Sequence, residues 1–170
     1  IMLSMVEKFP NYQFVVAQAP SQDSQFYQKI IGNRNVILAP NQTYNLLKQA
    51  RAALVTSGTA TLETALFGVP EVVCYKGSAI SYWVAKKLVD IKYISLVNLI
   101  MDKEVITELI QSDLNEQLLF KHLDKVLNDQ LYKEELLKNY AALWSKLGSK
   151  KASENAAALV VSTARDNTHN

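Results

Sequence analysis

The stretch AALVTSGTATLETALFGVPEVVCY, residues 52–75, sets two short apolar runs on either side of a helical pattern. AALVT (52–56) and EVVCY (71–75) are bounded and nearly continuous in their apolar character, as in strands covered on both faces. Between them, TATLETALF (59–67) reads as a helix, with Ser57-Gly58 as the tight turn that enters it and Gly68 and Pro70 closing it. A strand, a helix and a second strand at this spacing form a crossover unit, which is nearly always right-handed with its strands parallel.

Outward from this unit the alternation continues. QFVVA (13–17) reads as a strand, SQDSQFYQKII (21–31) as a helix capped by Ser21, and NVILA (35–39) as the next strand. NQTYNLLKQA (41–50) reads as a short helix capped by Asn41. Beyond the central unit come SAISYWVAKKLV (78–89), a helix, and YISL (93–96), a short extended piece. The fold class is therefore α/β, a Rossmann-like parallel sheet with helices on both faces. From about residue 104 the pattern is helical throughout. It runs through KEVITELIQ, NEQLLFKHLDKVLND, LYKEELLKNYAALWSKLG with Gly148 as the stop, and ASENAAALVVSTA with Ser153 as its cap. The expected organisation is a Rossmann-like domain over 1–103, a helical C-terminal extension packed on it over 104–164, and a frayed, disordered tail over 165–170. Met2, Leu3, Met5, Val6 and Phe9 fall near helical spacing with no cap ahead of them, which reads as a chain cut inside a helix.

Composition narrows the function classes. With 170 residues the chain suits one domain with a sizeable core, and its net charge of +2 is too weak to argue for a nucleic-acid surface. The single cysteine, Cys74, excludes an internal disulfide, favours a reducing, cytoplasmic setting, and reads as a buried structural thiol. No apolar stretch approaches the roughly 20 residues of a membrane span, and the N-terminal residues do not form a signal peptide. His122 and His169 have no second ligand at metal spacing, and there is no Asp-x-Asp pair, Walker loop or GxGxxG turn. A hydrolytic triad on Ser57 lacks a placed histidine.

The turn of the central unit carries what chemistry remains. Thr56 and Ser57 end a parallel strand, where ligands of such sheets collect. Gly58 allows close backbone approach, and Thr59, Ala60 and Thr61 open a helix whose free N–H groups suit an anion. Hydroxyls of Ser57, Thr59 and Thr61 would add donors, and Glu63, one turn in, suits a ribose diol. By spacing alone, a plain capped helix start is an equally good reading.

Four features resemble the C-terminal half of the lipid-A-disaccharide synthases, glycosyltransferases of the GT-B class. They are the S-G-T-A-x-x-E turn at Ser57–Glu63, the G-V-P-x-V-V-x-Y strand entry at Gly68–Tyr75, the W-x-A-K-x-L helix at Trp83–Leu88, and the element YISLVNLI (93–100). ASENAA (152–157) fits the end of such enzymes. The resemblance implies a domain that binds a UDP-sugar donor, with Ser57, Gly58, Thr59, Ala60 and Thr61 at the diphosphate and Glu63 at the ribose. Tyr75, Lys76 and Asn98 would line the donor site. Lys76 stands where many relatives carry arginine, so it keeps the charge and loses the bidentate fork. The implied reaction moves 2,3-diacylglucosamine from UDP to 2,3-diacylglucosamine 1-phosphate, inverting, with a β-1,6 link. No metal or other cofactor is expected, and the catalytic base is expected outside this chain. The partners implied are these acylated sugars, the cytoplasmic face of a Gram-negative inner membrane, and a second copy through the C-terminal helices. Helix 78–89, with Tyr82, Trp83, Lys86 and Lys87, mixes aromatic and basic residues. A core stripe with a solvated charged face is favoured there over a membrane contact. Two alternatives stay open: the donor domain of another GT-B UDP-N-acetylglucosamine transferase, and a non-catalytic nucleotide-binding module.

Overall fold

The computed structural model describes residues 1–56, 58–77, 92–148, 157, 160 and 161. The expected helices over 78–89 and 152–164, the Ser153 cap, Ser57, His169 and the tail 165–170 lie outside the described residues.

A 3-10 turn at Met2–Ser4 leads into α1 (Met5–Lys8), followed by β1 (Phe14–Gln18), α2 (Ser24–Ile31), β2 (Val36–Pro40) and α3 (Thr43–Leu47). The central unit is β3 (Ala53–Val55), α4 (Thr59–Leu66) and β4 (Glu71–Tyr75). Then come α5 (Leu96–Met101), β5 (Thr107–Ile110), α6 (Glu116–Asn128) and α7 (Gln130–Leu147). Every strand pair is parallel, as the crossover pattern requires. The ladders form two groups: β1 pairs with β2, with Val15 opposite Ile37, while β4 lies between β3 and β5, with Val73 opposite both Val55 and Glu108.

The strand β4 explains the layering. Its side chains alternate between faces, so Val72 and Cys74 enter one core and Val73 the other. On the first face Met5 and Phe9 from the α1 region and Leu119, Leu123 and Val126 of α6 complete a buried cluster with Leu109 and Leu114. On the second, Ala65 of α4, Val97 of α5 and Leu136, Tyr140 and Leu143 of α7 pack with Val105 and Ile106. Helices thus cover both faces of this sheet. The other sheet is less enclosed: in β1 exposure alternates residue by residue, and Val15 and its partner Ile37 are both exposed.

Several local expectations are corrected. Residues 104 onward are not purely helical, because Thr107–Ile110 forms β5 in parallel register with β4. Val105, Ile106, Leu109 and Ile110 fit a short helix stripe as well as a strand, and pairing with β4 decides the matter. The helices α6 and α7, read as an extension, supply the outer layers of the core. YISL is not extended as a unit: Leu96 begins α5, with Ser95 Oγ accepting from the Asn98 amide at 3.3 Å. The cap of α2 is Asp23, whose Oδ1 accepts from Phe26 N at 2.8 Å, and not Ser21. Asn41 does not cap α3 either; it sits at φ 55°, in the left-handed region that asparagine tolerates, ahead of the helix.

The base of the second core holds a buried acid. Glu71, at the start of β4, is fully buried, and Tyr140 Oη donates to Val69 O at 3.3 Å and to Glu71 Oε1 at 3.5 Å. The other oxygen, Oε2, has no partner among the described residues. Burial drives the Glu71 carboxyl well above the ordinary value of 4.5, and the Tyr140 hydrogen bond offsets this only in part. The folded state therefore holds this proton more tightly than the unfolded chain. The stability it confers is full below the ordinary value and is lost as pH rises toward the folded-state value. Glu71→Gln should raise Tm relative to the parent, with the advantage widening between about pH 4 and pH 8. Thermal melts across that range check this, and a constant difference would contradict it.

Candidate functional site

The strands β3, β4 and β5 all run toward one edge, and Gly58, Thr59, Tyr75 and Lys76 follow the ends of β3 and β4 there. The turn after β3 requires glycine: Gly58 sits at φ 113° and ψ −157°, a region that side-chain-bearing residues essentially avoid. It is also the first residue before α4, where no side chain caps the helix. Among the described residues, a Cβ built there would meet nothing within 4 Å. Thr59 and Ala60 are exposed beside it. An α-helix leaves its first amides unpaired, and here they open outward at the positive end of the helix dipole. The geometry can hold an anionic group.

The threonines divide by role. Thr61 is fully buried, and its hydroxyl donates to Gly58 O at 2.8 Å. Its amide also reaches Gly58 O, at 3.3 Å. Both donors are therefore engaged within the turn, and Thr61 shapes the turn instead of offering its hydroxyl outward. Thr64 Oγ1 donates in the same manner to Ala60 O at 2.7 Å. Glu63 is half-buried one turn in from Gly58, on the same helix.

The next strand end adds Tyr75 and Lys76. Lys76 is exposed, a mobile positive charge at the carboxyl edge of β4. Tyr75 lies against Gly77 so closely that a Cβ on Gly77 would fall 2.7 Å from the phenol oxygen. Gly77 thus leaves the room the Tyr75 ring occupies. The Tyr75 carbonyl accepts from Gln111 N at 2.9 Å, and Gln111 itself adopts φ 54° directly after β5. Among the described residues Gln111 Nε2 is buried with no partner. Gln111 stands at the carboxyl edge of the sheet, a position that sequence reading missed because the strand it follows was itself read as helix.

Asn98 stands apart from this edge group. It is fully buried, its Oδ1 accepts from Val105 N at 2.7 Å and Ile106 N at 3.0 Å, and its Nδ2 donates to Ile106 O at 2.8 Å and Glu108 Oε1 at 2.9 Å. A carboxamide has two N–H bonds and two lone pairs, so every one is engaged. Glu108 in turn accepts from Ile94 N and Ser95 N, both at 2.9 Å, and from Ser95 Oγ at 2.6 Å. Asn98 therefore presents no free donor to a ligand; it ties α5 to the entry of β5.

Other reactive groups are quiet. Burial pushes the Cys74 thiol up to about 12, which keeps it protonated and unreactive. Burial, then Lys121 and Lys125, hold His122 below its ordinary range, with Glu104 opposing them. None of the described helices is long and apolar enough to cross a membrane.

A parallel sheet layered by helices, with a glycine-entered helix start open at its carboxyl edge, defines a Rossmann-like α/β protein. The family model described as "Lipid-A-disaccharide synthetase" matches residues 1–160, and the chain belongs to this family. Among its relatives, the lipid-A-disaccharide synthase of Geobacter sulfurreducens is 31% identical over 157 residues, covering 91% of this chain and 41% of the relative. That of Syntrophus aciditrophicus is 34% identical over 160 residues, covering 92% and 42%. That of Hahella chejuensis is 39% identical over 126 residues, covering 72% and 32%. The chain thus spans about two fifths of the length of the first of these relatives.

Asn98→Ala should unfold with about 3 kcal/mol less stability, because Val105 N, Ile106 N and Ile106 O would lose partners in a buried setting. Urea denaturation checks this. A loss under about 0.5 kcal/mol, the range of an ordinary surface change, would contradict the clamp.

Proposed function

We propose that this chain is the donor-holding half of a lipid-A-disaccharide synthase, gripping the nucleotide of a UDP-sugar at the carboxyl edge of β3 and β4. The observation that carries the reading is the start of α4. Gly58 takes a glycine-only conformation, Thr59 and Ala60 are exposed, and Lys76 ends the neighbouring strand. Unpaired amides and a helix dipole stabilise a diphosphate without a metal, both when the donor binds and when UDP departs. In this reading the Gly58, Thr59 and Ala60 backbone meets the diphosphate, joined by Ser57, and Thr61 braces the turn from beneath. Glu63 accepts from the ribose hydroxyls. Tyr75 and Lys76 border the same cleft. Asn98 acts at one remove, by fixing the segment that leads into β5.

The proposed reaction is a sugar transfer. UDP-2,3-diacylglucosamine gives its sugar to 2,3-diacylglucosamine 1-phosphate, with inversion, a β-1,6 link and release of UDP. The acceptor hydroxyl must lose a proton as it attacks, and no residue of this chain is assigned that task. The base and most acceptor contacts belong to the rest of the enzyme, which works on acylated sugars at the cytoplasmic face of the inner membrane in a Gram-negative cell. A homodimer through the C-terminal helices is part of the same reading.

UDP titration by calorimetry tests the grip. Glu63→Ala should weaken UDP about 10- to 100-fold while leaving inorganic diphosphate binding unchanged, since a charged hydrogen-bond partner is worth about 1.5–3 kcal/mol. Gly58→Ala should weaken both, with a stability loss of about 1–3 kcal/mol from the forced backbone. Absence of UDP binding in the unaltered protein would remove the donor-site reading.

A further inference from the structure

The buried pair at the base of the second core joins the middle of α7 to the start of β4. Tyr140 Oη lies 3.3 Å from Val69 O and 3.5 Å from Glu71 Oε1, and both side chains are buried. A phenol has one proton, which two acceptors can share only weakly. A carbonyl can only accept. Both contacts are therefore best satisfied when Glu71 carries a proton of its own and gives it to Tyr140 Oη, which frees the phenol proton for Val69 O. As a carboxylate, Glu71 would draw the phenol proton away from Val69 O. Its charge would then sit in the core with Oε2 unpartnered among the described residues.

The two halves of α7 are tied down differently. Asp129 caps the first turn, and Tyr132 packs against both cores. The second half rests on Tyr140 and Leu143, with Leu136 at its root. Its other polar ties are exposed: Lys103 Nζ donates to Asn139 Oδ1 at 2.6 Å, Trp144 Nε1 to Leu66 O at 3.3 Å, and Lys146 Nζ to Ile100 O. Water competes for such bonds, so they hold little.

We propose that Glu71, Tyr140 and Val69 form a proton-held latch, which keeps residues 137–147 docked while Glu71 is protonated and lets them open locally once that proton is lost. Opening uncovers Ala65, Val73, Val97 and Ile106 and frees the Leu66 carbonyl at the end of α4. The first core, built on Val72, Cys74 and α6, stays closed. Few ionisable groups share this face. Tyr140 and Tyr132 lie on α7, and Glu108 of β5, opposite Val73, is engaged by Ile94, Ser95 and Asn98. From β3 comes Ala53, opposite Glu71, and from α4 and α5 come the uncharged Ala65, Val97 and Asn98.

In the closed form burial raises the Glu71 carboxyl well above its ordinary value of 4.5, and in the open form water restores that value. The latch is thus at full strength below the ordinary value and is lost as pH rises through the closed-form value. Between the two, opening should grow about tenfold per pH unit, then level off. The inference is independent of the nucleotide reading, and its test uses no ligand.

Hydrogen-exchange mass spectrometry on the full-length protein, corrected for the intrinsic pH dependence of exchange, tests the latch. Amides of 137–147 should follow that rise and plateau, and should exchange faster than those of β4 and α6 throughout. Glu71→Gln should abolish the rise, because its carboxamide does not ionise. Tyr140→Phe should keep the rise and increase opening at every pH. Exchange of 137–147 at the rate of β4, and so only through global unfolding, would overturn the proposal. A rise that survives Glu71→Gln would overturn it as well.

Discussion

Burial of β4 on both faces is the constraint from which the rest of the described structure follows. Val72 and Cys74 on one side and Val73 on the other are each almost wholly removed from water. Neither face can be left open without exposing several buried apolar side chains, each worth about 1.5–3 kcal/mol. Both helical layers are thus required by one five-residue strand. Its two neighbours, β3 and β5, must be parallel because helices occupy the faces and no hairpin can return the chain. The site then lies at the carboxyl edge for the same reason: that is where parallel strands deliver their chain into turns that climb onto the helices.

The proposed anion grip asks little of side-chain chemistry. Its main donors are backbone amides, so what the sequence must supply is conformation: glycine at position 58 for the left-handed turn, and threonine at 61 to hold the turn from below. Thr61 and Asn98 are buried and their polar groups are engaged within the fold, which is the opposite of what a ligand contact needs. Both belong to a rigid support under exposed groups such as Lys76 and the Thr59–Ala60 backbone.

Most of the layer order was legible in residues 13–75. Apolar runs of strand length alternate with amphipathic stretches there, and EVVCY coincides with β4 residue for residue. The glycine-entered helix start was legible too, from Gly58 followed by small residues. Other features depended on partners distant in sequence. VITELI satisfies two periodicities at once, and only its ladder with β4 resolves them. The saturation of Asn98 comes from Glu108 and from backbone groups at 105 and 106, which no local pattern announces. Gln111 was invisible for the same reason, being defined by its place after β5. The break between the sheets leaves no mark in the strand sequences themselves.

The helices α6 and α7 are joined by Asp129 alone, which ends one and caps the other through its Oδ1 contact with Tyr132 N at 3.0 Å. They cover opposite cores. During synthesis both faces of β4 wait for these covering helices until the last of their residues leaves the ribosome, at about 5–20 residues per second. A contact such as Tyr140 to Val69 closes 71 residues after its partner is made. The order of synthesis therefore gives this fold a vulnerable interval of several seconds before its most apolar strand is fully covered. A single-residue hinge then brings both covering helices within reach almost together, which shortens the stage at which one face is sealed and the other still open to aggregation.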